Sequence, residues 1–393
     1  MVKIAKKSAV QMFNICSYLA SDMIPINMFI RGKDALPGAL KHDITDDLER
    51  DDTIKELTKY SLLSCEKEKE LLCEEKRVLY MHRLLQEVVQ IYSGIDCDWL
   101  AHCLDFTYNV INWQKHVKGS MYTLRQEVPH VIAVAEKASV FFDGDDKKIE
   151  KIMRIFFSTS IFCGELSYLN LSISCIDKYI VMMERVYSEK RPAFNNYFLA
   201  NNLFMAYNNR GVAYNSMAAY NKAITSFDKA IRLGKNLRNK NELHSESELA
   251  TAYMNRGISY NKLKNHDKAL LDNTISVEIY ERLCSKDNFD NKGDLASCYI
   301  NRGAIYEPMM KYDEAVVCFN KGIYILEGMK NKGKAIDESD LARAYKNRGV
   351  AGSKTMSRKN EEHFSKEGHM IYHRNTTQAL VKYRKKQLGG GDN

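Results

Sequence analysis

The residues of this chain that are able to do chemistry are scattered. It holds 10 cysteines and 10 histidines in 393 residues, yet no Cys-x-x-Cys pair occurs, and the histidines do not pair at metal-ligand spacing. Cys16, Cys65, Cys103, Cys163 and Cys298 each stand alone. Zinc sites draw their ligands in closely spaced pairs, and secreted disulfide frameworks are denser in much shorter chains. The expectation is reduced, mostly buried thiols and no metal. Neither a Gly-x-Ser-x-Gly elbow nor a His-Glu-x-x-His helix is present. The acidic pairs Asp46-Asp47 and Asp51-Asp52 fall in polar connections, where solvation or helix capping accounts for them. The nearest approach to a phosphate loop, Gly328 to Lys334, is followed by Ala335 instead of Ser or Thr and has no strand before it. These residues predict no catalysis, no cofactor and no catalytic residue.

What remains must position a binding surface. A hydrophobic fraction of 45% and a charged fraction of 27% allow ordinary cores, while only 5 prolines and 20 glycines argue against a turn-rich β sandwich. The apolar stretch from Ala9 to Ile30 is broken by Gln11, Asn14, Asp22, Pro25 and Asn27. It therefore lacks the roughly 20 apolar residues of a membrane span and any signal-peptide cleavage site, so a cytoplasmic protein is expected. Much of the net charge of +8 lies near the C-terminus, where Lys354, Arg358, Lys359, Lys366, Arg374, Lys382, Arg384, Lys385 and Lys386 outnumber the acids. A basic tail can bind nucleic acid or acidic lipid; a solvated, frayed end is preferred, with Gly389 to Gly391 closing it.

The decisive signal is internal repetition. Tyr-x-Asn-Arg-Gly occurs at Tyr207, Tyr253, Tyr299 and Tyr345, always at the same 46-residue step. Leu203, Leu249, Leu295 and Leu341 precede each tyrosine by one helical turn. Tyr214, Tyr260 and Tyr306 follow each glycine, and Ala223, Ala269 and Ala315 come later in the unit. Within one copy, Leu249, Tyr253 and Tyr260 mark one helical stripe. A polar break at Lys264 to His266 separates it from a second stripe through Ala269, Leu270, Ile275, Ile279 and Leu283. Gly257 and Ala269 fall where the two helices of a pair approach. One pair cannot bury its apolar face alone, so copies must stack.

These residues resemble the tetratricopeptide repeat, with Gly211, Ala223, Phe227 and Ala230 at its consensus positions. The unit is longer than usual, as in the kinesin-light-chain type, and Arg210, Arg256, Arg302 and Arg348 replace the usual leucine. The last copy fades after Gly349, as a capping repeat would, and a degenerate copy around Tyr168 and 174–187 precedes the first. The resemblance implies a peptide- or protein-binding groove lined by the first helices. Asn208, Val212 and Asn215 would face it, followed by Met254, Ile258, Asn261 and Lys262, then Ile300, Ala304 and Glu307, then Lys346 and Val350. Asn208 with Val212, and Ile300 with Ala304, do not fit a clamp for a chaperone's terminal carboxylate. The repeated Asn209, Asn255, Asn301 and Asn347 with Arg210, Arg256, Arg302 and Arg348 admit two readings. They form either a ligand-binding ladder or a structural set satisfying polar groups between pairs, and the structural reading is preferred because packing positions repeat strictly.

The first quarter follows another pattern. A helix runs through Ala9, Phe13, Ile15 and Leu19, and a second covers Ile54 to Tyr60. Two apolar runs, Tyr60 to Cys65 and Arg77 to Met81, flank the charged segment Glu66 to Lys76 and predict a β-hairpin, before a helix that ends near Tyr92. Cys16 to Phe29, Tyr60 to Leu63 and His82 to Gln86 resemble the winged-helix segment of NB-ARC/STAND-type signalling ATPases that carry tetratricopeptide arrays. The region around Trp113 and Val128 to His130 resembles the helical spacer of such proteins. The family's ATPase domain would lie before residue 8, so His82, at the family's nucleotide-sensing position, is read as a packing residue before it is read as a sensor.

The expected fold is therefore mainly all-α, a helix-pair solenoid preceded by a small winged-helix-like domain. The expected divisions are 1–95 (winged helix), 96–156 (spacer), 157–202 (degenerate repeat), 203–248, 249–294 and 295–340 (repeats), 341–375 (cap) and 376–393 (basic tail). The expected function is a non-enzymatic interaction scaffold, the sensor part of a STAND-like system. The alternatives are a nucleic-acid binder, disfavoured because the helix after His82 has Arg83 as its sole base, and the C-terminal part of a STAND ATPase.

Overall fold

The computed structural model describes residues 6–69, 75–92, 97–113, 121–285 and 292–359. The chain divides into two compact units, residues 1–219 and 220–393, and the described residues of each are mostly helical.

The first unit opens with α1 (Lys7–Tyr18), β1 (Ile24–Pro25), α2 (Ile26–Arg31), a short 3-10 turn, α3 (Gly38–Thr45) and α4 (Asp47–Thr58). The hairpin β2 (Ser64–Lys69) and β3 (Glu75–Tyr80) follows, then α5 (Arg83–Tyr92). The strands form one antiparallel sheet in the order β1-β3-β2. Central β3 is covered on both faces, so Val78 and Leu79 are fully buried. The hairpin exists, but its first strand lies mostly in the charged segment expected to separate the two runs, while 60–63 forms a turn. The physical reason is position: β2 is an edge strand, where charged side chains are tolerated and discourage further pairing. β1 was not expected; it is two residues long, and its proline, lacking an N–H, fits only an edge.

α4 starts earlier than the predicted Ile54 because the Asp46 side chain accepts from the Leu48 and Glu49 amides. Asp47, Asp51 and Asp52 thus lie within a helix and not in a connection. Gln86 of α5 is buried and donates to the carbonyls of Cys16 (2.9 Å) and Leu19 (3.0 Å), satisfying the open end of α1.

α6 (Cys97–Trp113) and α7 (Met121–Phe141) come next. Phe29 of α2 packs on Phe106 of α6 at 5.2 Å between ring centroids, and Arg31 pairs with the buried Glu127 of α7. α8 (Asp146–Glu165), α9 (Leu169–Glu189) and α10 (Asn196–Ser216) then stack in sequence order.

The second unit is a run of antiparallel helices: α11 (Tyr220–Asn239), α12 (Glu246–Lys262), α13 (His266–Cys284), α14 (Lys292–Tyr306), α15 (Tyr312–Asn331) and α16 (338–359). From α11 to α15 each helix packs on the next in chain order, and Leu341, Ala344 and Ala351 of α16 share a buried cluster with Ala315, Phe319 and Ile323 of α15. This is a helix-pair solenoid, as the repeated sequence requires.

The repeat extends to the backbone. Ala218, Lys264 and Met310, one step apart, all take left-handed φ values of 57°, 61° and 56° at the ends of α10, α12 and α14. At each end the following amide reaches back to a carbonyl five residues earlier: Ala219 to Tyr214, Asn265 to Tyr260 and Lys311 to Tyr306. This cap closes the first helix and reverses the chain.

The buried stripe of α13 differs from the predicted one. Ala269 and Ile279 are buried, but Leu270, Ile275 and Leu283 are half-buried, and Asp272, Asn273, Ser276, Val277 and Tyr280 fill the interior. Gly257 sits directly over this row. A Cβ there would lie 3.1 Å from the Ala269 carbonyl, and one at Gly303 would lie 2.6 Å from the Phe319 ring.

Two outcomes follow for thermal unfolding. Lys264→Gly and Met310→Gly, which relieve a side chain in the left-handed region, each raise stability by about 0.5–1 kcal/mol. Gly257→Leu or Ala269→Phe forces α12 from α13 and costs about 1–3 kcal/mol or more. An unchanged melting curve for the second pair would refute the close approach.

Candidate functional site

The repeated motif sits on the first helix of each pair. Each arginine stacks on the tyrosine one turn before it, with centroid distances of 5.2 Å for Arg210 on Tyr207, 5.5 Å for Arg256 on Tyr253, 5.0 Å for Arg302 on Tyr299 and 4.9 Å for Arg348 on Tyr345. The tyrosine hydroxyl donates to a carboxylate of the preceding second helix: Tyr207 to Glu184, Tyr299 to Glu281 and Tyr345 to Glu327. At the corresponding place Tyr253 meets Lys235, whose Nζ lies 5.6 Å from the ring centroid.

The guanidinium groups reach back to the same preceding helices. Arg210 bonds Asp177 (2.9 Å), Arg256 bonds Asp228 (2.6 Å) and Arg348 bonds Asn320 (3.2 Å). Arg256 also forms a two-pronged contact, at 2.7 and 2.6 Å, with the buried Asp272 of its own pair. Burial works against its charge, but the Asp272 and Asp228 carboxylates more than offset this and raise its pKa. Arg302 has the Cys318 thiol beside it instead. Arg210, Arg256 and Arg348 thus link successive helix pairs, while Arg302 acts within its own.

The four motif asparagines have different surroundings. Asn209 lines a cleft. Asn301 is 9% exposed, and its Oδ1 accepts from Arg343 Nη1 at 3.2 Å. Asn255 and Asn347 are half-buried.

Groove positions lie in both units. In the first, Val212 on α10 is 42% exposed, Asn208 and Asn215 are half-buried, and the Asn208 Oδ1 has no hydrogen-bond partner among the described residues. In the second, Lys262, Lys346 and Val350 are exposed, while Met254, Ile258, Asn261, Ala304 and Glu307 are half-buried. Asn261 Oδ1 is 2.8 Å from His266 Nδ1, Glu307 accepts from Lys354 at 3.0 Å, and Met254 Sδ lies 3.4 Å from Cys298 Sγ. Ile300 does not face a groove. It is fully buried against Gly322, where a Cβ would come within 2.7 Å of Ile300 Cγ1. The missing side chain at Gly322 draws it inward, a signal 22 residues away that register counting ignores.

Within the first unit α8, α9 and α10 enclose a cleft of about 320 Å³. Ile161, Leu169, Ile176 and Val212 make its apolar walls, and Asn209 and Ser216 bring hydrogen-bonding groups to it. Ile161, Leu169 and Ile176 were not singled out from sequence, because they lie in the copy whose motif is degenerate.

His82 lines a separate, polar cleft of about 810 Å³ with Asp22, Ser61 and Tyr80. Its Nδ1 accepts from the Leu84 amide at 3.2 Å and so caps α5. Gly328 to Asn331 is the last turn of α15. Among the described residues no group of three or more His, Cys, Asp or Glu is placed to hold a metal, and no helix is long and apolar enough to cross a membrane. Residues 376–393, the expected basic tail, lie outside the described residues.

Residues 2–92 match a domain family of unknown function, DUF7779, and residues 206–236 and 296–337 match the tetratricopeptide repeat. The chain therefore carries tetratricopeptide repeats. No curated protein matches it. Among solved structures it is similar to aspartyl phosphate phosphatase F from Bacillus subtilis, at 14% identity over 99% of this chain and 92% of that one, with a TM-score of 0.46. It is also similar to BtubC from P. vanneervenii, at 13% identity over 62% of this chain and 87% of that one, with a TM-score of 0.44. A STAND protein with a tetratricopeptide-repeat sensor from Pyrococcus horikoshii matches at 12% identity over 88% of this chain and 53% of that one, with a TM-score of 0.39. All three are distant in sequence and in superposition.

Burial decides what each motif arginine contributes. Arg256→Ala strands Asp272, whose side chain is 3% exposed, and costs about 3–5 kcal/mol. Arg210→Ala leaves an Asp177 side chain that is 44% exposed and costs about 1 kcal/mol or less. Denaturant midpoints measure both, and equal losses would refute this assignment.

Proposed function

We propose that this chain is a non-catalytic scaffold that holds an extended peptide segment of a partner protein against the first-helix faces of its repeats. The carrying observation is the cleft bounded by α8, α9 and α10, where Ile161, Leu169, Ile176 and Val212 can receive an apolar side chain beside Asn209. An amide offers one donor and one acceptor group to a peptide backbone, and Asn209 brings one to the cleft. Asn208, Val212 and Asn215 in the first unit, and Met254, Ile258, Asn261, Lys262, Ala304, Glu307, Lys346 and Val350 in the second, are the contact candidates; Ile300 is not. The motif arginines act in packing, and so does Asn301. The free thiols of Cys16, Cys103 and Cys298 support a reducing, cytoplasmic setting.

A second reading makes the chain part of a STAND-like signalling ATPase, with residues 1–95 as its winged-helix-like domain and His82 in the nucleotide-sensing place. One observation favours it. α5 turns Leu84 (64%), Val88 (46%) and Ile91 (73%) outward along one face, an apolar stripe that a neighbouring domain would cover. The same stripe opposes the nucleic-acid reading, which needs bases there to meet phosphate. An in-frame phosphate loop upstream in the genomic sequence would decide for the ATPase reading.

The scaffold reading is tested by selecting a random-peptide display library on the full chain. Gly164 lines the cleft with only Ser172 Oγ, at 3.5 Å, near a new Cβ, so Gly164→Val narrows the space, and an unchanged melting curve checks that α8 is kept. Selected peptides should lose about tenfold or more in affinity for Gly164→Val and Val212→Glu. Failure to enrich any peptide, or binding indifferent to both variants, would sink it.

A further inference from the structure

The outer face of α11 has no counterpart in the other repeats. The helix carries Lys222, Lys229, Arg232, Lys235 and Arg238, with Lys240 just beyond its end, and its one acid is Asp228. That acid is already bonded to Arg256. Lys222, Arg232, Lys235, Arg238 and Lys240 are exposed, and between them stand the exposed polar residues Asn221, Thr225, Asn236 and Asn239.

Comparison in register shows that this charge is particular to α11. Its interior keeps the common pattern, with Ala223 matching Ala269 and Ala315, and Phe227 matching Phe319. Outside, Arg232 stands where α13 has Glu278 and α15 has Tyr324, and Lys235 stands where they have Glu281 and Glu327. Those two glutamates accept the hydroxyls of Tyr299 and Tyr345. By carrying Lys235 instead, α11 forgoes that bond to Tyr253, and its basic residues at three-residue steps repel one another. A face that exchanges an acid for a base at this step keeps one sign of charge and attracts the opposite sign from outside.

We infer that the basic outer face of α11 around Arg232, Lys235 and Arg238 is a second docking surface for an acidic segment of a partner polypeptide. The chemistry separates this occupant from other polyanions. Single-stranded nucleic acid is held by aromatic stacking platforms, and the exposed residues of α11 include no aromatic. Lasting attachment to a membrane surface adds inserted apolar side chains to the attraction of charge, and α11 exposes none. Glu278 and Glu281 on α13, which packs against the same α12, would repel a uniformly negative duplex wider than one helix. A polypeptide can present acids to α11 alone. α11 belongs to the second unit and the cleft to the first, so the two surfaces are tested by separate variants.

The experiment uses the full chain and a fluorescent poly-glutamate peptide, read by anisotropy at low salt, with a short DNA duplex and phosphatidylserine vesicles as competitors. Arg232→Glu with Arg238→Glu should weaken peptide binding by about tenfold or more, and salt at about 0.5 M should weaken it likewise. Lys147→Glu with Lys332→Glu changes the net charge equally at two other exposed sites and should leave binding within about twofold. Equal losses in the two pairs would show that net charge alone binds the peptide and would overturn the assignment, as would no loss in either. Duplex or vesicles that displace the peptide more strongly than unlabelled peptide does, through the same two arginines, would overturn the polypeptide as occupant. Should the first pair lower the melting temperature, Arg232→Gln with Arg238→Gln replaces it and is held to the same outcomes.

Discussion

The array depends on a clasp between each first helix and the second helix before it. A tyrosine ring lies under a guanidinium one turn away on the same helix; in three of the four copies the hydroxyl reaches a carboxylate across the interface, and in three the guanidinium reaches an acid or amide there. Ring, charge and hydrogen bonds are thus concentrated where two helix pairs meet, the junction that a stack cannot do without. Packing alone would allow neighbouring helices to slide; directional bonds select one register.

The stacked tyrosine and arginine are constant, whereas the bonds they make and what lies beneath them are not: Tyr253 meets Lys235 in place of a carboxylate, and Arg302 meets Cys318 of its own pair. In the third pair Gly303 accepts the face of Phe319, an apolar plug. In the second, Asn273 occupies the place held by Phe227 and Phe319, and Asp272 the place held by Ser226 and Cys318. This pair is held by Arg256 on Asp272, by Ser276 on the Ala250 carbonyl at 2.8 Å and by the Tyr280–Thr251 hydroxyl pair at 2.7 Å. Such networks give a unique arrangement at a higher cost of error, since each buried polar group must keep its partner. Asn273 Oδ1 has none among the described residues, so the second pair gains less from its interior than the third.

What the clasp leaves over is the first-helix face one turn further on and the outer faces of the second helices. The first-helix face carries amides and short apolar side chains, suited to backbone hydrogen bonds with small anchors. The outer face of α11 carries charge. The two surfaces differ in range: one acts on contact, while the other acts over a Debye length of about 8–10 Å and is weakened by salt.

The amino-acid sequence determined the repeat without help. Tyr, Asn, Arg and Gly at one unvarying step define helices whose ends, caps and close approaches must recur, and Ala218, Lys264 and Met310 repeat the same backbone turn without sharing a residue type. It also determined the small hairpin domain, though not its strand limits, because the charges of β2 read as a separator until β3 is seen pairing on both sides. Tertiary structure decided which side chains are available. Ile300 and Val350 hold nearby places in the same helical lanes, yet one is buried by the void at Gly322 and the other is 40% exposed. It also decided that a degenerate copy supplies the walls of the cleft, and that Asn209 meets open space where Asn301 meets Arg343. Local pattern carries the periodicity of a helix, whereas exposure depends on the volume of residues brought from another helix, and no count along the chain contains that volume.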